Sequence, residues 1–151
     1  MSYQSDFLTG GTPSADSHYE TYVASRAFDN NTVTGWLSDA GAFPHWVKYD
    51  LGVGIAKKAR KLRLYSWENQ IDAFKLEGSN DDSVWDELLS GNASAAAQWN
   101  EWTFNNPIAY RYYRIYITSN HSGGGDTYGG VMEIELMEAV TSMTKFNRGL
   151  N

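Results

Sequence analysis

The sequence predicts an all-β domain, a jelly-roll-like antiparallel β-sandwich of about eight strands. Three observations carry that expectation. Short runs such as Leu62-Arg63-Leu64-Tyr65 and Phe74-Lys75-Leu76-Glu77 alternate apolar and polar side chains with the period of a half-buried strand. Turn signals separate the runs, the clearest being Gly78-Ser79-Asn80-Asp81-Asp82. No long amphipathic helix can be drawn, and the 15% aromatic content, with six Trp and ten Tyr, suits strands and binding platforms.

In chain order, Gly10-Gly11-Thr12-Pro13-Ser14 opens with a strand and loop, and residues 24–28 are expected to make one helical turn. Trp46-Val47-Lys48-Tyr49-Asp50-Leu51 reads as a strand with Val47, Tyr49 and Leu51 on one face. The basic run of residues 57–63 is expected to be a solvated loop entering the strand at Leu62. Residues 74–77 and 85–89 form a hairpin about the Gly78 turn, and Glu101-Trp102-Thr103-Phe104 is a short strand. Residues 110–117 are the longest strand candidate, with Tyr113, Ile115 and Ile117 inward. A loop holding five of the fourteen glycines precedes the last strand, 131–137, whose Ile134 and Leu136 face in. Residues 1–140 are expected to be one domain and 141–151 a tail or linker. Trp36, Trp46, Trp85 and Trp102 are expected in the core, and His45 at a strand edge.

The totals exclude several classes. A net charge of −6 lacks the basic footprint of a nucleic-acid binder and opposes attraction to anionic lipid. With no cysteine there is no disulfide, thiolate metal site or cysteine nucleophile. No apolar run reaches the length of a membrane span, and residues 1–6 are too polar for a signal peptide, so export would depend on a signal elsewhere or on assembly into a larger particle. No Ser-His-Asp or paired-carboxylate pattern stands out, so the chain is not expected to be an enzyme.

Two distant stretches carry the chemistry. Asp29-Asn30-Asn31-Thr32-Val33-Thr34 packs hard oxygen donors between Phe28 and Trp36, and Met132-Glu133-Ile134 can supply a further carboxylate about a hundred residues later. Calcium takes six to eight such oxygens, so the two segments could close on one ion. Alternatively, Asp29 and Asn31 only form Asx turns and Glu133 faces solvent.

At this point the chain resembles the discoidin, or coagulation-factor type-C, domains, and among them the family 32 carbohydrate-binding modules. The resemblance rests on Gly11-Thr12-Pro13-Ser14-Ala15, Ala27-Phe28-Asp29 through Gly35-Trp36, residues 46–52, residues 74–81, Trp85, residues 110–114, and Glu133-Ile134-Glu135-Leu136, in the family's order. It implies a structural calcium held by the Asp29 and Glu133 carboxylates, the Thr34 hydroxyl, and the carbonyls of Arg26, Asn31 and Met132. It also implies a glycan as partner, in a secreted, surface-exposed or phage-particle protein, and a non-catalytic module that targets a larger protein to that glycan.

Related modules bind sugar on three loops at one end, here residues 37–43, 66–72 and 120–128. Stacking on a pyranose needs a flat aromatic, and its hydroxyls need a few well-placed polar groups. The candidates are Asp39 and Phe43, then Trp67, Glu68 and Asn69, then His121 and Tyr128. Galactose-binding relatives carry a His and an Arg where this chain has Leu37-Ser38 and Trp67-Glu68-Asn69, which argues against a galactose preference. The competing expectation is a discoidin domain that binds protein or lipid through apolar spikes on the same loops, and the scarcity of Lys and Arg there counts against lipid.

Overall fold

The structure is a computed structural model, and it describes residues 1–141; the tail or linker expected from residue 141 onward lies, but for its first residue, outside them. The alternating runs become nine strands: β1 Thr12–Ala15, β2 Trp36–Leu37, β3 His45–Asp50, β4 Lys61–Ser66, β5 Ala73–Ser79, β6 Asp86–Asn92, β7 Trp99–Thr103, β8 Tyr112–Ile117 and β9 Gly130–Met137. The expected helical turn is a 3₁₀ turn at Ala24–Ala27.

The strands form two antiparallel sheets, ordered β1-β3-β8-β5-β6 and β2-β9-β4-β7. Alternation decides the faces. On β3, β4, β5 and β8 every second residue is buried, so Val47, Tyr49, Leu62, Leu64, Phe74, Leu76, Ile115 and Ile117 meet Ile134 and Leu136 of β9 in one core between the sheets. The longest strand is β9, not the 110–117 run, because Tyr110 joins Lys57 only through an isolated bridge.

Two aromatic expectations are corrected. Trp46 and Trp85 are half-buried on the outer face of the five-stranded sheet, beneath Lys48 and Arg114 at 5.2 and 4.1 Å from the ring centroids. The same alternation that turns Val47 inward turns Trp46 outward, and a cation over the ring covers its exposed face. Trp36 is fully interior, and Trp102, half-buried, packs on the core edge-on to Phe74, as expected. His45 is also buried, as the first residue of β3.

Candidate functional site

The turn of residues 29–34 and β9 do meet. On β9, Glu133 lies opposite Tyr65 whereas Val131 lies opposite Ser66, so Met132 is a bulged residue with no partner on β4. The bulge lets Val131 and Ile134 both face the core and puts Glu133 on the outer face beside Tyr65. There it is nevertheless only 1% exposed. Residues 29–31 cover it, with the Asp29 carboxyl and the backbone of Asn30 and Asn31 beside its carboxyl group. The close approach depends on Gly35, where a Cβ would stand 2.8 Å from Met132 Sδ and 2.9 Å from the Val131 carbonyl.

Neither Glu133 oxygen accepts a well-formed hydrogen bond. Burial pushes its carboxyl up to about 8; the Asn30 N–H opposes the rise and the neighbouring Asp29 charge adds to it. The turn that presents Asp29 is built locally. Asn30 takes φ 57°, a left-handed conformation that asparagine tolerates, the Asn31 N–H donates to Asp29 Oδ1 at 3.1 Å, and the Val33 N–H donates to Asn31 Oδ1 at 3.0 Å. Thr34 Oγ1 donates to Asp29 Oδ2 at 2.5 Å and lies 3.3 Å from the Asn31 carbonyl. The Asx turns therefore form, but Glu133 does not face solvent.

This donor set fits a hard cation. Among the described residues no three His, Cys, Asp or Glu gather, so the pair Asp29 and Glu133 would be completed by neutral oxygens, as calcium accepts and zinc does not favour. Arg26 sits in the 3₁₀ turn and Met132 at the bulge, the two remaining positions that the resemblance implied.

The three expected binding loops share one end of the sandwich and are laced together. The Ser38 N–H donates to the Gly129 carbonyl and Ser38 Oγ accepts from the Gly129 N–H; the Gly41 N–H donates to Thr127 Oγ1. The His121 N–H donates to the Asn69 carbonyl, and Gln70 Nε2 donates to Ser122 Oγ and Asp126 Oδ2. His45 ties two loops from beneath, with Nδ1 2.8 Å from Asp16 Oδ2, and Nε2 3.1 Å from the Gly41 carbonyl and 2.8 Å from that of Thr127. Its ring is a buried post on which both loops rest.

On that frame Trp67 is half-buried and packs edge-on to Tyr22, centroids 5.0 Å apart, while Tyr128 packs edge-on to Tyr19 at 5.4 Å. Asp39, Glu68, Asn69 and His121 are exposed on the same end, Asn69 with φ 62°. Phe43 is not the exposed tip its position suggested: it is half-buried, packed on the core and edge-on to His45 at 5.1 Å. Sequence reasoning missed the segment of residues 17–22, which pairs with β2 through Tyr19 N–H to Leu37 carbonyl and Leu37 N–H to Tyr22 carbonyl. Two tyrosines in a polar run were the available signal; in the structure Glu20 between them takes φ 50°.

His121, Asp72 and Ser119 also cluster here, but Asp72 stands between the other two: His121 Nε2 is 3.4 Å and Ser119 Oγ 3.5 Å from its carboxylate, and His121 Nε2 is 2.8 Å from the Ala93 carbonyl. A nucleophile triad needs the histidine in the middle.

No curated protein matches the chain. Among solved structures, the fold is similar to a family 32 module of Clostridium perfringens in complex with GalNAc-β-1,3-galactose, with a TM-score of 0.78 and 14% identity over 89% of this chain and 100% of that one. It is similar also to the family 32 module of C. perfringens NanJ in complex with galactose, with a TM-score of 0.73 and 22% identity over 91% and 100%. A truncated AlyQ with family 32 and alginate lyase domains gives a TM-score of 0.75 and 20% identity over 91% of this chain, which spans 34% of that longer one. The family model for the F5/8 type C domain matches residues 12–134. With that match covering most of its length, this chain belongs to the F5/8 type C, or discoidin, domain family.

Proposed function

We propose that this chain is a non-catalytic carbohydrate-binding module that brings a larger protein to a glycan, with a structural calcium beneath its binding end. The observation that carries the reading is the laced loop end, where Trp67 and Tyr128 are braced by Tyr22 and Tyr19 among exposed polar side chains. Braced rings give a sugar face area to stack on at little entropic cost. The sugar complexes of similarly folded modules support it, and the joining of one to a lyase domain supports a targeting role.

Asp29, Thr34 and Glu133 would hold calcium through side chains, and Arg26, Asn31 and Met132 through carbonyls. An ion there supplies the positive charge that two facing carboxyl groups lack. The residues themselves then lock residues 29–34 onto β9.

An adhesion domain that inserts apolar spikes into lipid would need exposed apolar tips. The most exposed large apolar side chains, Met1, Val33, Val53 and Val84, lie off the binding loops, and Leu37 and Phe43 are half-buried.

A glycan array probed with the folded protein in calcium is the test. Selective binding that Trp67→Ala abolishes is expected; background signal alone would end the carbohydrate reading.

A further inference from the structure

We infer that His45 is a positioning residue that holds the binding loops as an imidazolium, so that glycan affinity falls when its ring loses the second proton; the inference rests on the carbohydrate-binding reading above. Donors decide the charge. Nδ1 lies 2.8 Å from Asp16 Oδ2, and Nε2 lies 2.8 Å from the Thr127 carbonyl and 3.1 Å from that of Gly41. A carboxylate and two carbonyls can only accept, so each of these oxygens asks the ring for a proton. A neutral imidazole has one N–H and one lone pair. With the proton on Nδ1, the Nε2 lone pair faces two carbonyl oxygens; with it on Nε2, the Nδ1 lone pair faces the carboxylate. Either neutral form sets two acceptors against each other at 2.8 Å around a residue only 4% exposed, where water cannot replace the missing bond.

Among the described residues, Asp16 is the charged group that meets the ring, and its other oxygen accepts the Trp46 N–H at 3.2 Å. On the same segment His18 and Glu20 are exposed. Along β3, Lys48 stands on the opposite face with Asp82, and β8 places Ile117 beside His45. The loop of residues 37–43 brings the Phe43 ring and the Gly41 carbonyl, and its Asp39 is exposed. The loop before β9 brings the Thr127 carbonyl and Gly129, where a Cβ would stand 3.1 Å from His45 Cβ. Of that loop's titratable groups, Asp126 accepts from the Tyr128 N–H and the Gln70 amide, His121 Nε2 lies on the Ala93 carbonyl, and Tyr128 packs on Tyr19.

The two carbonyls belong to the loops that carry Asp39 and Phe43 on one side and His121 and Tyr128 on the other. The Nε2 proton therefore ties those loops beneath the sugar face. On deprotonation the ring keeps the N–H that the carboxylate attracts and gives up the one that the carbonyls share. The upper laces remain, Ser38 with Gly129 and Gly41 with Thr127 Oγ1, while the lower one is lost. Trp67 sits on the middle loop, which makes no hydrogen bond to the ring, so affinity drops rather than vanishes.

Ring and loops are followed together in the calcium-loaded protein from about pH 5 to about pH 9. Long-range proton–nitrogen spectra count the protons on the two ring nitrogens. Amide exchange at Ser38, Gly41 and Gly129, corrected for its intrinsic pH dependence, measures loop protection, and an array of uncharged glycans reads binding. Two protonated ring nitrogens are expected at the acid end, with protection and array signal falling about tenfold as the second proton leaves, the worth of one hydrogen bond to a charged group. Asp16→Asn keeps an acceptor for Nδ1 and for the Trp46 N–H but removes the charge, so it should fold and move that drop to lower pH, a shift that titration of Glu133 would not produce. A ring with one bare nitrogen at every pH, protection and signal that stay level while the ring titrates, or a drop that Asp16→Asn leaves in place would overturn the inference, and the carbohydrate reading would stand wherever the array shows binding. An array silent at every pH would remove that reading and the claim on affinity with it, while the ring protons and loop protection, read without sugar, would still decide whether His45 is the charged tie.

Discussion

Removing the ion should expose the cost of the buried carboxyl pair. Glu133 is 1% exposed with both oxygens unbonded and Asp29 beside it, so a cation bound only by the native state adds RT ln(1 + [L]/Kd), about 2.7 kcal/mol at a hundredfold excess over Kd. For a domain of this length that is about 5–10 °C in Tm. The pH dependence sharpens the test. In the ion-free protein the Glu133 carboxyl is pushed up to about 8 from 4.5, so the folded state holds a proton that the unfolded state releases. Stability linked to this group is then present in full below about 4.5 and is lost as pH rises through about 8, with an upper bound of several kcal/mol. With calcium the carboxylate is ionised, and that loss on raising the pH should disappear. Thermal melts with calcium and with chelator, from pH 5 to pH 8.5, measure both effects. Superimposable melts at every pH would refute the reasoning, as would Glu133→Gln retaining the full calcium response.

Further outcomes follow from the same geometry. Trp67→Ala should lower glycan affinity at least about tenfold on an array or in titration, while unfolding in urea changes by about 2–3 kcal/mol, from the edge-on contact with Tyr22 and the apolar area of a half-buried ring. His45→Ala removes the post beneath two loops and leaves the Gly41 and Thr127 carbonyls without its ring nitrogen, so a loss of about 2–4 kcal/mol is expected in urea, with faster amide exchange at Gly41, whose loop it supports. Gly35→Ala forces a methyl group against Met132 and the Val131 carbonyl, and should cost about 1–3 kcal/mol and weaken the calcium-dependent rise in Tm.

Much of this molecule is legible in its sequence because the relevant physics is local. Period-two alternation assigns β3, β4, β5 and β8 their inward faces, and Gly78 to Asp82 announces its hairpin. Asp29, Asn31 and Thr34 organise one turn within a few residues, so their grouping needs no long-range contact. Hydrophobicity alone puts Trp46 and Trp85 in the core, because it does not reveal that a cation will cover a ring on the outer face. Phe43 reads as a loop tip in sequence because nothing nearby tells that His45 is buried against it. The roles of Tyr19, Tyr22 and Gln70 depend on partners 109, 45 and 56 residues away, at Tyr128, Trp67 and Asp126. What the chain's order of residues determined alone was the sandwich, the turn of oxygen donors and the acidic balance of the loops. Only the tertiary structure decided that a bulge at Met132 buries Glu133 under that turn, and that Tyr22 and Tyr19 brace Trp67 and Tyr128. Burial and ion pairing are properties of segments brought together in space, and local propensity carries no record of them.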